Sequence, residues 1–288
     1  MPRKVKAADR PLVIAVTSDQ HAGSTVALCP ERIALDDGGA YEASKVQRWI
    51  WERWLAYWQR VADVQREVGG ELWQVFNGDA VEGHHHRNTH VIANNPNAQA
   101  LVWTEAVRVP LALKPSRLFM VRGTEAHVGS EGSAEERIAE GLRRDKRPIV
   151  GDPETGTASW WHLRMEVQGL LLDFAHHGRT GQREHTRASN ATLHAHDIFL
   201  SHVKNGERHP DLCIRSHFHR FNDSHDACPT RVVTIGAWQM KTGHVHKIAA
   251  DTIADVGGAI IVIRDGEYTV EKVCYKPERG TVWKPSPT

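Results

Sequence analysis

The run Leu12-Val13-Ile14-Ala15-Val16-Thr17 constrains this chain more than any other stretch. It is apolar and rich in β-branched residues, so it reads as a buried strand. It leads directly into Ser18-Asp19-Gln20-His21. Residues two apart on an extended backbone point the same way, so Asp19 and His21 can aim at one point beyond the strand end. In open α/β sheets ligands bind on that side. A carboxylate beside an imidazole suits Zn, Mn, Fe or Ni. One Asp-x-His pair arises easily by chance, and its weight depends on what the rest of the chain supplies.

The same event recurs. Glu71 to Phe76 reads as a strand and runs into Asn77-Gly78-Asp79. Arg117 to Val121 is followed by Arg122-Gly123-Thr124-Glu125-Ala126-His127. Leu170 to Ala175 ends in His176-His177, and Asp211 to Arg215 in Ser216-His217-Phe218-His219. Five short apolar strands in order each end in Asp or His. The β-α-β order of the first half places several of these ends along one sheet edge. So many ligand-type residues exceed a single four-coordinate zinc. They fit a two-metal site, with ions about 3.5–4 Å apart.

Between these strands the helical segments are clear. Val46, Ile50, Trp54, Trp58 and Val61 recur at helical spacing, giving a helix over 43–68 that Gly69-Gly70 ends. Its apolar face is wide and reads as a core face. Trp49, Trp51 or Tyr57 could extend it into a subunit contact, which admits a homodimer. Residues 22–42 read as a long loop, 97–114 as a helix interrupted near Pro110, and 133–144 as a helix with Ser133 and Glu136 as a capping box. Trp160 to Val167 pairs with Leu170 to Ala175 as a hairpin turning at Gln168-Gly169, and a helix spans 188–204. Segments 232–235, 259–264 and 268–274 read as antiparallel strands. No repeat or linker divides the chain, so one domain over 1–288 is expected, with 1–10 and 276–288 as loose or surface-covering ends.

Composition excludes several classes. A net charge of +1 gives no global basic field for nucleic acid. No apolar window reaches the roughly 18 residues of a membrane span. The four cysteines are scattered with no C-x-x-C pair, so a cysteine zinc site is not expected. With no signal-peptide pattern, a cytoplasmic protein is expected. The 19 histidines are the unusual number, many of them at strand ends or in loops.

Taken in order, these motifs resemble the calcineurin-like metallophosphoesterase superfamily. Its motifs run Asp-x-His, Gly-Asp, Gly-Asn-His, a lone His, then Gly-His-x-His. The resemblance spans residues 12–220 and implies an α/β fold, a four-layer α/β/β/α sandwich with mixed sheets. It implies two divalent metal ions, Mn first, with Fe, Zn or Ni open. Asp19, His21 and His219 would hold one ion, and Asp79 would bridge. His217 with either His176 or His177 would hold the other. His127 would be the catalytic histidine. Two departures stand out: Ser216 replaces a glycine, and Gly-Thr-Glu-Ala-His replaces Gly-Asn-His. The second puts Thr124 where a ligating Asn is expected and offers Glu125 as a substitute carboxylate.

Softer candidates for substrate phosphate are His84, with its neighbours His85 and His86, and Arg179 and Arg183 of the Arg-rich loop. Trp238 could line the pocket but reads more simply as packing, and His244 and His246 read as structural. The implied activity is phosphate-ester hydrolysis, with a phosphodiester or nucleotide-type substrate preferred and nucleic acid admitted. A phosphomonoesterase, protein phosphatases included, is the near alternative, and a metal-poor interaction scaffold the alternative of another class.

Overall fold

The computed structural model describes residues 10–84, 89–179, 186–248 and 250–278. At its centre is β1 (Leu12–Thr17), all six residues of which are buried. It pairs in parallel with β4 (Glu71–Asn77), which pairs in parallel with β5 (Arg117–Val121). Each parallel step needs a helical crossover. The first is α1 (Lys45–Val68), the second α2 (Pro96–Ala112). On its other side β1 pairs antiparallel with β11 (Val256–Arg264), which turns back into the edge strand β12 (Glu267–Tyr275). The first sheet therefore has the order β12-β11-β1-β4-β5.

The second sheet has the order β6-β7-β8-β10-β9. It contains β6 (Leu163–Val167), β7 (Leu170–Phe174), β8 (Leu212–Arg215), β9 (Asn222–Asp223) and β10 (Arg231–Thr234). Both sheets are mixed: β7, β8 and β10 run parallel, β6 and β9 antiparallel to their neighbours. Ile14, Val16, Val75 and Phe119 of the first sheet share one core with Leu172, Phe174, Ile214 and Val233 of the second. The outer face of the first sheet packs on α1, α2 and α4 (Ser133–Arg144) through Val13, Trp54, Trp103 and Ile138. Cys213 and Val232 pack on α5 (Arg187–Lys204) through Ala195. The layers run helix, sheet, sheet, helix.

Local chemistry explains α1. Ser44 and Gln47 form a reciprocal capping box, and Gly69 ends the helix at φ 69°. Tyr57 does not face a subunit contact. It is fully buried, and its hydroxyl donates to the carbonyls of Val16 (3.2 Å) and Ala259 (2.9 Å). Trp49 and Trp51 pack partly buried against the same core. Trp238 is buried against Trp54, ring centroids 4.7 Å apart at 90°.

Several expectations are corrected. Residues 22–42 contain a short ribbon, β2 (Arg32–Ala34) with β3 (Ala40–Glu42). Pro110 does not interrupt α2. Its missing N–H would have bonded the Ala106 carbonyl, and that carbonyl accepts instead from Trp54 Nε1 at 3.0 Å. Ser133 and Glu136 form no capping box: Gly132 is the N-cap of α4. The Glu136 carboxylate accepts from the backbone N–H groups of Ala158 (2.8 Å) and Ser159 (2.9 Å). The late strands are not simply antiparallel, since β10 runs parallel to β8 and β11 joins the other sheet. Two short helices complete the chain, α3 (Glu125–Val128) and α6 (Gly243–Ile248). Among the described residues, no helix is long and apolar enough to cross a membrane.

Candidate metal centre

Parallel register brings the strand ends together. Thr17 lies opposite Phe76, and Asn77 opposite Val121, so the segments after β1, β4 and β5 emerge side by side. Phe174 lies opposite Ile214 in the second sheet, which aligns the ends of β7 and β8. Backbone bonds lock the loops: Asp19 N–H donates to the Gly78 carbonyl (2.9 Å) and His21 N–H to the Asp79 carbonyl (3.0 Å).

The chain adopts an unusual backbone here. Asp19 (φ 53°), His21 (44°), Asp79 (54°), His217 (75°) and His219 (54°) all take left-handed conformations. Such residues carry roughly 1–3 kcal/mol of strain each and cluster at functional sites. Close approach also explains the glycines. A Cβ on Gly78 would sit 2.3 Å from His176 Nδ1, and one on Gly123 would sit 2.2 Å from Asp79 N.

Three groups of ligand atoms, each mutually within 4.8 Å, result: Asp19 with His21 and His219; Asp79 with His176 and His217; and His21 with Asp79 and His127. Asp79, a member of the second group, also lies 4.0 Å from His21 Nε2 of the first. His219 Nε2 lies 3.2 Å from Asp19 Oδ1, and His176 Nε2 3.0 Å from Asp79 Oδ2. Asp19 Oδ1 and His176 Nε2 are buried without an aligned hydrogen bond. Buried polar atoms left in that state need an explanation. Carboxylates and imidazoles converging on common points are a donor set that fits divalent cations.

The electrostatics agree with that donor set. Burial disfavours a charged His21, but Asp19 and Glu82 outweigh it and raise the imidazole to about 10. Burial is likewise outweighed at His176, which Asp79 and Asp19 raise to about 10. Asp19 and Asp79 are held far below the carboxylate range, chiefly by His176 once their own burial is overcome. His217 goes the other way, down to about 4, through burial and then His176.

The remaining predicted residues fall on either side of this line. Of the 176/177 pair, His176 enters the cluster; its Nδ1 donates to the Asn77 carbonyl at 2.7 Å, which fixes the ring. His177 is exposed, belongs to none of the three groups, and reaches Thr124 Oγ1 at 3.3 Å. Glu125 also joins no group. The insertion forms the helical turn α3 with Thr124 at its N-cap, which leaves Glu125 exposed and buries Val128. Thr124 Oγ1 lies 3.0 Å from His217 Nδ1, and its N–H donates to Asp79 Oδ1 at 2.6 Å. His127 Nδ1 donates to the Glu82 carbonyl at 2.9 Å. Arg179 is exposed and paired with Asp197. His84 is exposed. His85, His86 and Arg183 lie outside the described residues.

Sequence reading missed two carboxylates. Glu82 is fully buried, with Oε2 3.2 Å from His21 Nδ1, and it accepts from Gln239 Nε2 at 2.7 Å. Its only local signal is its place three residues after Asp79. Glu135, on α4, accepts from the N–H groups of Ala80 (3.1 Å) and Gly123 (2.6 Å), stapling two of the loops. Burial and the nearby Asp79 push it up to about 8. A carboxylate that orients a ligating His is worth about 10–100-fold in metal affinity. Glu82→Gln should weaken divalent-cation binding at the cluster by that factor in a chelator-competition titration.

No protein-family model and no curated protein sequence matches the chain. Among solved structures it is similar to the hypothetical protein PH1004 of Pyrococcus horikoshii, at 11% identity and TM-score 0.41, over 92% of this chain and 88% of that one. It is similar to a dimetal phosphatase from Danio rerio at 10% identity and TM-score 0.39, over 91% and 99%. It is also similar to Vps29 complexed with Zn from Entamoeba histolytica, at 8% identity and TM-score 0.39, over 91% and 98%. At such distances, function has to be read from this chain's own side chains.

Proposed function

We propose that the protein is a metal-dependent phosphoric-ester hydrolase with a binuclear centre, acting on phosphodiester or nucleotide-type substrates. The observation that carries this reading is the pair of three-ligand groups, Asp19-His21-His219 and Asp79-His176-His217, with Asp79 of the second 4.0 Å from His21 of the first. Two divalent ions held there would supply a nucleophilic hydroxide near neutral pH and neutralise charge on the phosphoryl oxygens. Mn2+ is our first choice and Fe, Zn or Ni remain chemically suitable.

The chain's own groups do the rest. Glu82 orients His21, and the Asn77 carbonyl orients His176. His127, anchored through Nδ1 to the Glu82 carbonyl and close to His21 and Asp79, donates a proton to the departing ester oxygen. Thr124 Oγ1, between His217 and His177, offers a hydroxyl where a ligating amide is otherwise expected. The fold alone does not choose a substrate. The test is hydrolysis of bis-p-nitrophenyl phosphate against p-nitrophenyl phosphate with Mn2+ added. Preference for the diester is expected; activity on the monoester alone would move the assignment to a phosphomonoesterase.

Metal loading should depend on pH. His21 and His176, both raised to about 10, are protonated at neutrality without metal and must lose those protons to ligate. Loading therefore releases protons and strengthens as pH rises from 6 towards 9, by up to about tenfold per pH unit for each proton released. Calorimetric Mn2+ titrations in two buffers of different ionisation enthalpy measure that number. Affinity independent of pH over this range would contradict the expected proton release.

A further inference from the structure

A cleft of about 680 Å3 adjoins the cluster. Residues of α2, α3 and α4 line it, with His84, His127, Leu142 and Asp145 among its lining residues. Its size is that of a small-molecule site, typically about 300–1,000 Å3. Ala100, Val128, Ala134 and Ile138 give it apolar walls. His127 lines the cleft and also belongs to the group with His21 and Asp79, so the cleft borders the cluster at this residue.

Charge narrows the occupant. Arg137 and Arg144 line the cleft, but so do Glu125, Glu136, Glu140 and Asp145. A further phosphate would meet carboxylates more often than guanidinium groups, which disfavours a polynucleotide strand along this path. An uncharged group suits the walls.

We infer that the cleft receives the alcohol part of the substrate, a bulky uncharged aromatic or apolar group of roughly nucleoside size. This rests on the hydrolase reading above. In the reaction phosphorus gains the oxygen of water and the P–O bond to the alcohol breaks. The alcohol oxygen leaves on the His127 side, carrying a proton, and its organic part already sits in the cleft. Nothing but water is consumed.

The test compares the diesters methyl 2-naphthyl phosphate and methyl phenyl phosphate, whose aryloxide leaving groups are similarly acidic, on the Mn2+-loaded full chain. The wild-type protein should favour the naphthyl ester in kcat/KM by about tenfold, the factor that burying one further ring gives. Ala134→Trp, filling the cleft from α4, should remove that preference mainly through KM. Ala100→Trp, filling it from α2, should do the same and serves if the first variant does not fold. Equal rates on both esters in the wild type, or a preference that survives both variants, overturns the proposal. Fluorescence titration with 2-naphthol separates the two levels. Binding that Ala134→Trp abolishes, without hydrolysis of any ester, supports the cleft as an aromatic site and overturns the hydrolase reading. Hydrolysis without such binding overturns the cleft and leaves the hydrolase reading standing.

Discussion

Asp79→Asn should reduce kcat/KM on bis-p-nitrophenyl phosphate by at least about a thousandfold, roughly 4 kcal/mol of transition-state stabilisation. The carboxylate faces both ligand groups, with Oδ2 3.0 Å from His176 Nε2 and 4.0 Å from His21 Nε2. Asparagine keeps the shape and can still accept the Thr124 N–H through Oδ1. It loses the charge, and a neutral amide cannot serve two cations at once. The effect should appear twice: as lost turnover with Mn2+ in excess, and as fewer Mn2+ per chain after dialysis. Without metal, the same change leaves His21 and His176 facing one carboxylate fewer, so the metal-free variant should also melt lower. Full activity in Asp79→Asn would rule out a bridging role.

The second large effect lies beneath the ligands. Asp173 on β7 and Arg215 on β8 are both nearly fully buried and pair at 2.7 Å. Arg215 also donates to the Asp173 and Ile214 carbonyls, and His162 reaches the same carboxylate at 2.7 Å. The pair ties the two strands together just before His176 and His217. Removing one partner strands a buried charge, which costs about 3–5 kcal/mol. Arg215→Met should therefore lose that much in urea unfolding at pH 7 and weaken metal binding through misplaced ligands. The pH dependence has a defined sign. Burial alone would raise Asp173, but His162 and Arg215 outweigh it and lower the carboxyl from 3.8 to about 2. Its contribution is complete above about 4 and drains away as pH falls through 2. The acid limb of the wild-type stability curve should be steeper over that window than that of Arg215→Met. Parallel limbs would contradict the assignment.

The sequence made the centre legible because its signals are local. An apolar strand followed at once by Asp19 and His21 needs no tertiary information, and α1 declared itself through its spacing and its terminating glycines. What stayed hidden depends on distant partners. That β11 inserts beside β1 rather than joining β10 is a pairing across most of the chain. Glu136 looked like half of a capping box, yet Ala158 and Ser159 claim it. Glu125 looked like a ligand from its place in the motif, and one helical turn leaves it exposed. Glu82 carries no motif at all. Only the fold brings it within 3.2 Å of His21.

The most direct test of the binuclear centre is anomalous diffraction at the Mn absorption edge from crystals grown with Mn2+. The expected result is two peaks about 3.5–4 Å apart. One should lie among Asp19, His21 and His219, the other among Asp79, His176 and His217, with the Asp79 carboxylate between them. A single peak, or none inside this cluster, would contradict it.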